Sequence, residues 1–229
     1  MPGDLIWPKV PGQKIFYNEG KDIGTDEDRE DWEKDRAHFL STLVTSNERH
    51  PADIIREIRE MTYDAFLEIF GTAKRISAEM RRKATEVLPL KSGHIAIIDY
   101  DSASKQHIII EALKGVGVVT MPYAVWIQRR SKQIVWHGRV KHRLPEARAQ
   151  IAVEARKHVG KPYELWSWLL DDERHFYCSK LVWLSTMKTL SVSLDEIKSP
   201  FRFPWISPAQ ILYGGFVDVL YDPGNYFVR

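Results

Sequence analysis

The sequence of 229 residues contains a single cysteine, Cys178. One cysteine cannot form an intramolecular disulfide, so the fold does not depend on oxidation. Structural zinc sites are built from cysteines and histidines at set spacings, and His137, His142, His158 and His175 have no partners at such spacings. We therefore predict neither a metal site nor a bound cofactor.

The sequence also lacks a long apolar run and an excess of either charge. No apolar stretch approaches the roughly 20 residues of a membrane span, and residues 1–7 lack the basic and apolar regions of a signal peptide. Lys and Arg number 33 against 31 Asp and Glu, which gives a net charge of +2 and argues against a nucleic-acid partner. We expect a soluble protein that is cytoplasmic as made, without a membrane span.

Two regions of different periodicity follow one another in the chain. In residues 26–88 the apolar residues recur at helical spacing, charged residues cover the other faces, and no catalytic set is visible. We interpret 26–88 as a helical insertion that packs on the core of a single catalytic domain, residues 1–229. From Pro89 onward the pattern changes to short apolar runs of strand length.

The pattern predicts an α+β fold with a mostly antiparallel sheet. The strands are predicted at 3–7, 94–100, 107–113, 116–121, 133–140 and 215–221. Helices outside the insertion are predicted at 123–128, 145–159 and 207–212, and a further helix begins at the cysteine.

Cys178 lies where this further helix is expected to start. A polar, acidic stretch precedes it, and Leu181, Leu184, Met187 and Leu190 then recur at helical spacing. The positive end of a helix dipole favours the thiolate, which is the nucleophilic form of cysteine. The alternative is a small, inert core residue, because free cysteine is among the most buried residue types.

A catalytic cysteine needs a base, and the base needs a residue that orients it. His94 opens a predicted strand directly after Gly93, whose small size leaves room for a substrate. Glu111 is an acidic residue inside the apolar run of the next strand, so a hairpin would bring both side chains to one edge of the sheet. The alternatives are a structural histidine and a strand-end ion-pair partner.

Six short motifs together resemble one family of cysteine hydrolases. In chain order they are Gly3–Ile6, Gly93–Ile97, Ile110–Ala112 with Gly117-Val118, Gly160–Tyr163, Tyr177–Ser179 with Leu181–Trp183, and Ser207-Pro208. This set is similar to the circularly permuted, YiiX-like branch of the NlpC-type, papain-like hydrolases. The resemblance covers roughly residues 1–10 and 90–215.

The resemblance implies a circularly permuted papain-like (NlpC-type) fold, with an antiparallel sheet, a nucleophile helix and the helical insertion. It implies Cys178 as nucleophile, His94 as general base and then acid, and Glu111 as the residue that orients His94. Tyr163 and Tyr177 are candidates to line the substrate pocket. The chain departs from the family in its long insertion and in Lys180, which replaces an acidic residue after Cys-Ser.

The expected activity is cleavage of an amide bond through a thioester acyl-enzyme. A peptide or peptidoglycan stem peptide is the expected substrate by resemblance, and an antibacterial effector exported by a signal-independent system is one hypothesis. Such an effector would have an immunity or delivery protein as partner. The alternatives are a lipid-type acyl hydrolase or acyltransferase, and a non-catalytic binding module on the same scaffold.

Overall fold

The computed structural model describes residues 1–9, 26–45, 52–71, 93–202 and 205–221. Within these ranges the strands form one six-stranded sheet of order β4-β3-β2-β1-β5-β6, and all neighbouring strands are antiparallel. The strands are β1 Leu5–Lys9, β2 Ala96–Asp101, β3 Gln106–Leu113, β4 Gly117–Pro122, β5 Ile134–Val140 and β6 Val217–Tyr221. The predicted strands are confirmed to within two residues at each end.

The described helices lie in two groups, one before and one after the central hairpin. The first group is α1 Asp26–Thr45, α2 Ala52–Glu60 and α3 Tyr63–Gly71. The second is α4 Tyr123–Arg129, α5 Pro145–Arg156, α6 Cys178–Leu190 and α7 Pro208–Tyr213. The helix predicted to start at the cysteine is confirmed. Residues 72–88 of the predicted insertion lie outside the described ranges.

The two faces of the sheet carry different layers. Alternate residues of the central strands, among them Ile97 and Ile110, face the main core, which also contains α5 and α6. The opposite face carries a smaller apolar cluster that includes Ile98, Ile109 and Trp126 of α4. Because side chains alternate along a strand, Glu111 shares the face of Ile109 and therefore lies on the α4 side.

Through a cluster of aromatic rings, α1 packs on the segment that precedes α6, and α3 packs on the segment that follows it. Trp32 lies 5.5 Å from Trp166, and Phe66 lies 5.2 Å from Trp205, between ring centroids. Phe39 packs edge-on against Trp168 at 5.6 Å. Such ring pairs add about 0.5–1.5 kcal/mol each beyond area burial. We propose that α1–α3 and the sheet form one domain, because their buried residues form one continuous cluster.

The start of β4 approaches the loop that leads to Tyr163. Val118 donates its N–H to the Lys161 carbonyl at 2.9 Å, and Gly160 donates to the Val118 carbonyl at 2.8 Å. Gly117 has φ of +95°, and a Cβ placed on it would lie 2.4 Å from the Lys161 oxygen. This approach therefore requires glycine at position 117.

Replacement of Gly117 by alanine is expected to destabilise the protein more than the same change at Gly115. Gly115 also has positive φ, at +74°, but an added Cβ would meet nothing within 4 Å. Alanine at 115 should therefore cost only the backbone strain of about 1–2 kcal/mol, whereas alanine at 117 adds the clash with backbone. Urea unfolding of both variants measures the difference. Equal losses would contradict the close approach.

Candidate active site

The imidazole of His94 and the carboxylate of Glu111 form a buried pair. His94 lies two residues before β2, and Glu111 lies in β3, which pairs with β2 in the predicted hairpin. His94 Nε2 is 2.8 Å from Glu111 Oε2, and the two residues are 6% and 0% exposed. The hairpin therefore brings these two predicted site residues together, and Nε2 carries the shared hydrogen when Glu111 is ionised.

Two further donors converge on the same carboxylate oxygen. Trp126 of α4 donates its indole N–H to Oε2 of Glu111 at 2.9 Å, and Arg130 donates from Nη2 at 3.2 Å. Burial alone would raise the pKa of Glu111, but the hydrogen bond and charge of His94 and the charge of Arg130 outweigh it, so the pKa is lowered. Glu111 is therefore held as a carboxylate.

Cys178 is the first residue of α6, and its sulfur lies against the backbone next to His94. Sγ is 3.8 Å from the carbonyl oxygen of Gly93, which belongs to the peptide bond joining Gly93 to His94. The residue is 3% exposed. The N-cap residue, Tyr177, gives no side-chain hydrogen bond to the first turn. The first N–H groups of a helix have no intrahelical partners, so they are available to an anion beside the sulfur.

The start of α6 is fixed by contacts on both sides. Phe176 pairs with Tyr163 in a parallel bridge, and its N–H donates to the Pro162 carbonyl at 3.0 Å. On the other side, Ser179 Oγ donates to the Ile206 carbonyl at 2.7 Å. These contacts fix the position of Cys178 between the two segments that flank it.

Lys180 is only two residues from Cys178, but its side chain contacts the loop that precedes α6. Residues at i and i+2 do not share a helix face, and Lys180 Nζ donates to Ser167 Oγ at 2.8 Å. The side chain is fully buried, and burial lowers its pKa to about 8 against the opposing effect of Asp172. The hydrogen bond to Ser167 therefore directs the Lys180 side chain to the loop before α6.

The two tyrosines predicted to line the pocket differ in their surroundings. Tyr163 is half-buried and packs against the main core beside Phe176. Tyr177 is 0% exposed, and its hydroxyl oxygen accepts the Ile206 N–H at 3.3 Å. A fully buried ring offers no surface to a substrate, so we propose that Tyr177 supports the helix start and keep Tyr163 as the candidate for contact.

His158 is buried against Phe176, which lies two residues before the start of α6. Its ring lies 4.5 Å from that of Phe176, and Lys161 Nζ is 3.0 Å from its Nδ1. Burial, aided by the charge of Lys161, lowers the pKa of His158 from 6.5 to about 4. The imidazole is therefore neutral in the folded protein at neutral pH.

This depressed pKa predicts that His158 destabilises the protein in acid. The contribution of neutral His158 to the free energy of unfolding is fully present above pH 6.5. It is lost as the pH falls from 6.5 towards 4, because His158 takes up its proton first in the unfolded chain. The loss below pH 4 should be about 3 kcal/mol. In His158→Gln, unfolding between pH 4 and 6.5 should depend less on pH. His107→Gln, at an exposed site, is the control, and equal pH dependence in both variants would contradict the assignment.

Trp126 and Arg130 were not predicted as site residues from the sequence. The available signal was their spacing. They lie four residues apart at the end of a short helix, and residues so spaced share a helix face. The guanidinium carbon of Arg130 lies 4.2 Å from the centre of the Trp126 ring, and both residues are buried.

The described ranges contain neither a cluster of metal-ligating side chains nor a membrane-spanning helix. No group of three or more His, Cys, Asp or Glu side chains there is placed to hold one metal ion. In the same ranges, no helix has the length and apolar character needed to cross a membrane.

Comparison with known proteins adds a family to this geometry. No protein of curated function matches the sequence significantly. The crystal structure of the metalloprotein yiiX from Escherichia coli O157:H7 matches 64% of this chain and 92% of its own, with 21% sequence identity and a TM-score of 0.47. The model of a family described as permuted papain-like amidases, YaeF/YiiX, C92 family, matches residues 70–203. This match spans more than half of the chain and confirms the resemblance drawn from the six motifs. The protein therefore belongs to the permuted papain-like amidase family of YaeF and YiiX.

Proposed function

We propose that the protein hydrolyses an amide bond in a peptide or a peptidoglycan stem peptide, with Cys178 as nucleophile. The observation that carries the proposal is the position of the sulfur, 3.8 Å from the carbonyl of Gly93, directly beside the residue whose imidazole is held by Glu111 at 2.8 Å. Membership of an amidase family supports the reaction class. The peptide substrate is our more specific proposal.

In the acylation step the thiolate of Cys178 attacks the carbonyl carbon of the scissile amide. The oxyanion that forms is stabilised by the backbone N–H of Cys178 at the start of α6. His94 gives its proton to the leaving amine as the C–N bond breaks, and a thioester remains on the sulfur.

Deacylation returns the enzyme to its starting state. Neutral His94 removes a proton from water, and the resulting hydroxide attacks the thioester carbonyl. The C–S bond breaks and the carboxylic acid product leaves. Glu111 keeps the imidazole in one orientation through both steps and stabilises its protonated form, as the carboxylate does in a serine hydrolase triad.

The helices α1–α3 form a helical block, of which α1 packs on the segment that precedes α6. Trp32 and Phe39 of α1 pack on Trp166 and Trp168, which lie between Tyr163 and the nucleophile helix. We propose that this block helps to shape the substrate groove. The block lies outside the motifs that carry the resemblance, so it is also where substrate selection should differ from that of relatives.

Trapping of the acyl-enzyme tests the proposal. The protein is mixed with a soluble muropeptide and, separately, with phospholipid vesicles, and is then quenched in acid. Intact-mass and peptide mass spectrometry locate any thioester. Acylation of Cys178 by the muropeptide, absent in Cys178→Ala, is the expected result. Acylation by the lipid alone would instead establish the acyl-hydrolase alternative, and acylation by neither would favour a binding module.

A further inference from the structure

The buried pair Trp126 and Arg130 fixes the carboxylate that orients the general base. We propose that both are positioning residues for the cysteine chemistry, acting through Glu111; this inference rests on the proposed function. Neither residue reacts with substrate in this account. They act one step behind His94, from the sheet face opposite the main core.

The geometry of the carboxylate carries the inference. Oε2 of Glu111 receives hydrogen bonds from His94, Trp126 and Arg130, at 2.8, 2.9 and 3.2 Å, whereas its Oε1 is buried and has no hydrogen-bond partner. A carboxylate held through one oxygen by His94 alone could rotate about its last bond. Two additional donors from a separate helix remove that freedom and hold Oε2 at 2.8 Å from the imidazole Nε2.

Charge balance gives a second reason. Glu111 is 0% exposed, and a buried carboxylate is costly unless it is paired. The guanidinium of arginine is a permanent cation in proteins, so Glu111 retains a cationic partner when His94 is neutral. Arg130 is itself held over the Trp126 ring at 4.2 Å, and this cation–π contact fixes its guanidinium.

The neighbours of Glu111 across the strand pair and two residues earlier on the same face are apolar. The charged groups that act most strongly on it are His94 and Arg130. Its register partner on β4 is Val119, and Ile109 precedes it on the same face. Removal of Arg130 therefore takes away the main fixed positive charge near the site. The loss of a cation makes every nearby group harder to deprotonate. Both the acid and the alkaline limbs of the pH–rate profile for reaction of Cys178 should therefore move to higher pH.

The test is alkylation of Cys178 by iodoacetamide, a neutral probe that needs no knowledge of the substrate, followed from pH 4 to pH 10. In Arg130→Met the acid limb of the pH–rate profile should move up by about one pH unit, which lowers the rate by about tenfold at pH values below the midpoint of that limb. Arg130→Lys keeps the charge, so its acid limb should lie close to that of the parent. Trp126→Phe keeps an aromatic ring but loses the indole N–H, so it should slow alkylation several-fold with little movement of either limb of the pH–rate profile.

Arg129→Met is the matched control, because it removes the same charge from the exposed neighbour and should behave as the parent. If Arg130 had a purely structural role, Arg130→Met would have a lower melting temperature, but the pH–rate profile of its folded form would not move. A reactive parent with unmoved limbs in Arg130→Met overturns this inference alone. An unreactive Cys178 in the parent overturns the proposed function and this inference together.

Discussion

Replacement of Cys178 by alanine is expected to abolish amide hydrolysis, with a loss of at least about 10⁴-fold in kcat/KM. The sulfur is the only thiol in the chain, so no other cysteine can replace it. Cys178→Ser should be similarly inactive, because a hydroxyl is a much weaker nucleophile than a thiolate at neutral pH. Activity is measured on the substrate that acylates the parent.

The control for this loss lies on the same helix. Ser185 is buried in α6, and its Oγ has no hydrogen-bond partner, so Ser185→Ala should keep both activity and stability. Cys178→Ala should also unfold within a few degrees of the parent, since only one small buried atom is lost. Retention of activity in Cys178→Ala would rule out thiol catalysis and favour a different reaction or a binding role.

Replacement of Glu111 by glutamine is expected to lower kcat by about 10²–10⁴-fold. Glutamine has nearly the same shape, but it cannot stabilise the imidazolium of His94 by charge. It also leaves Arg130 as a buried cation without its carboxylate, which should cost about 3–5 kcal/mol of folding free energy. Kinetics and urea unfolding measure the two effects separately.

A double variant separates catalysis from stability at this position. Glu111→Gln combined with Arg130→Met removes both buried charges, so stability should recover towards that of the parent. Activity should remain low, because His94 still lacks its carboxylate. If Glu111→Gln alone keeps parental activity, Glu111 is an ion-pair partner without a catalytic role, which is the alternative that the sequence left open.

Local patterns in the sequence predicted the elements that position the site. The switch from helical to strand periodicity at Pro89 gave the hairpin that joins His94 to Glu111. The apolar spacing after Cys178 predicted the start of α6 at the residue where it begins. Both are short-range features, and short-range features follow from periodicity and caps.

Contacts between distant segments could not be predicted in this way. Arg130 reaches Glu111 only because α4 lies across the outer face of the sheet, and the sequence does not say which face a short helix covers. The family resemblance likewise made Tyr177, which precedes Cys178, a candidate to line the substrate pocket. Its ring is instead buried under Ile206, from a segment 29 residues later in the chain.

The most direct test of the central claim compares the pH dependence of Cys178 alkylation in the parent and in His94→Ala. An ordinary thiol reacts along a single limb centred near pH 8.5, whereas a thiol paired with an imidazole is already ionised well below that pH. We expect the parent to react rapidly at pH 6 and His94→Ala to react only along the ordinary limb. An inert parent, or identical profiles in the two proteins, would contradict the pairing of Cys178 with His94 and with it the proposed chemistry.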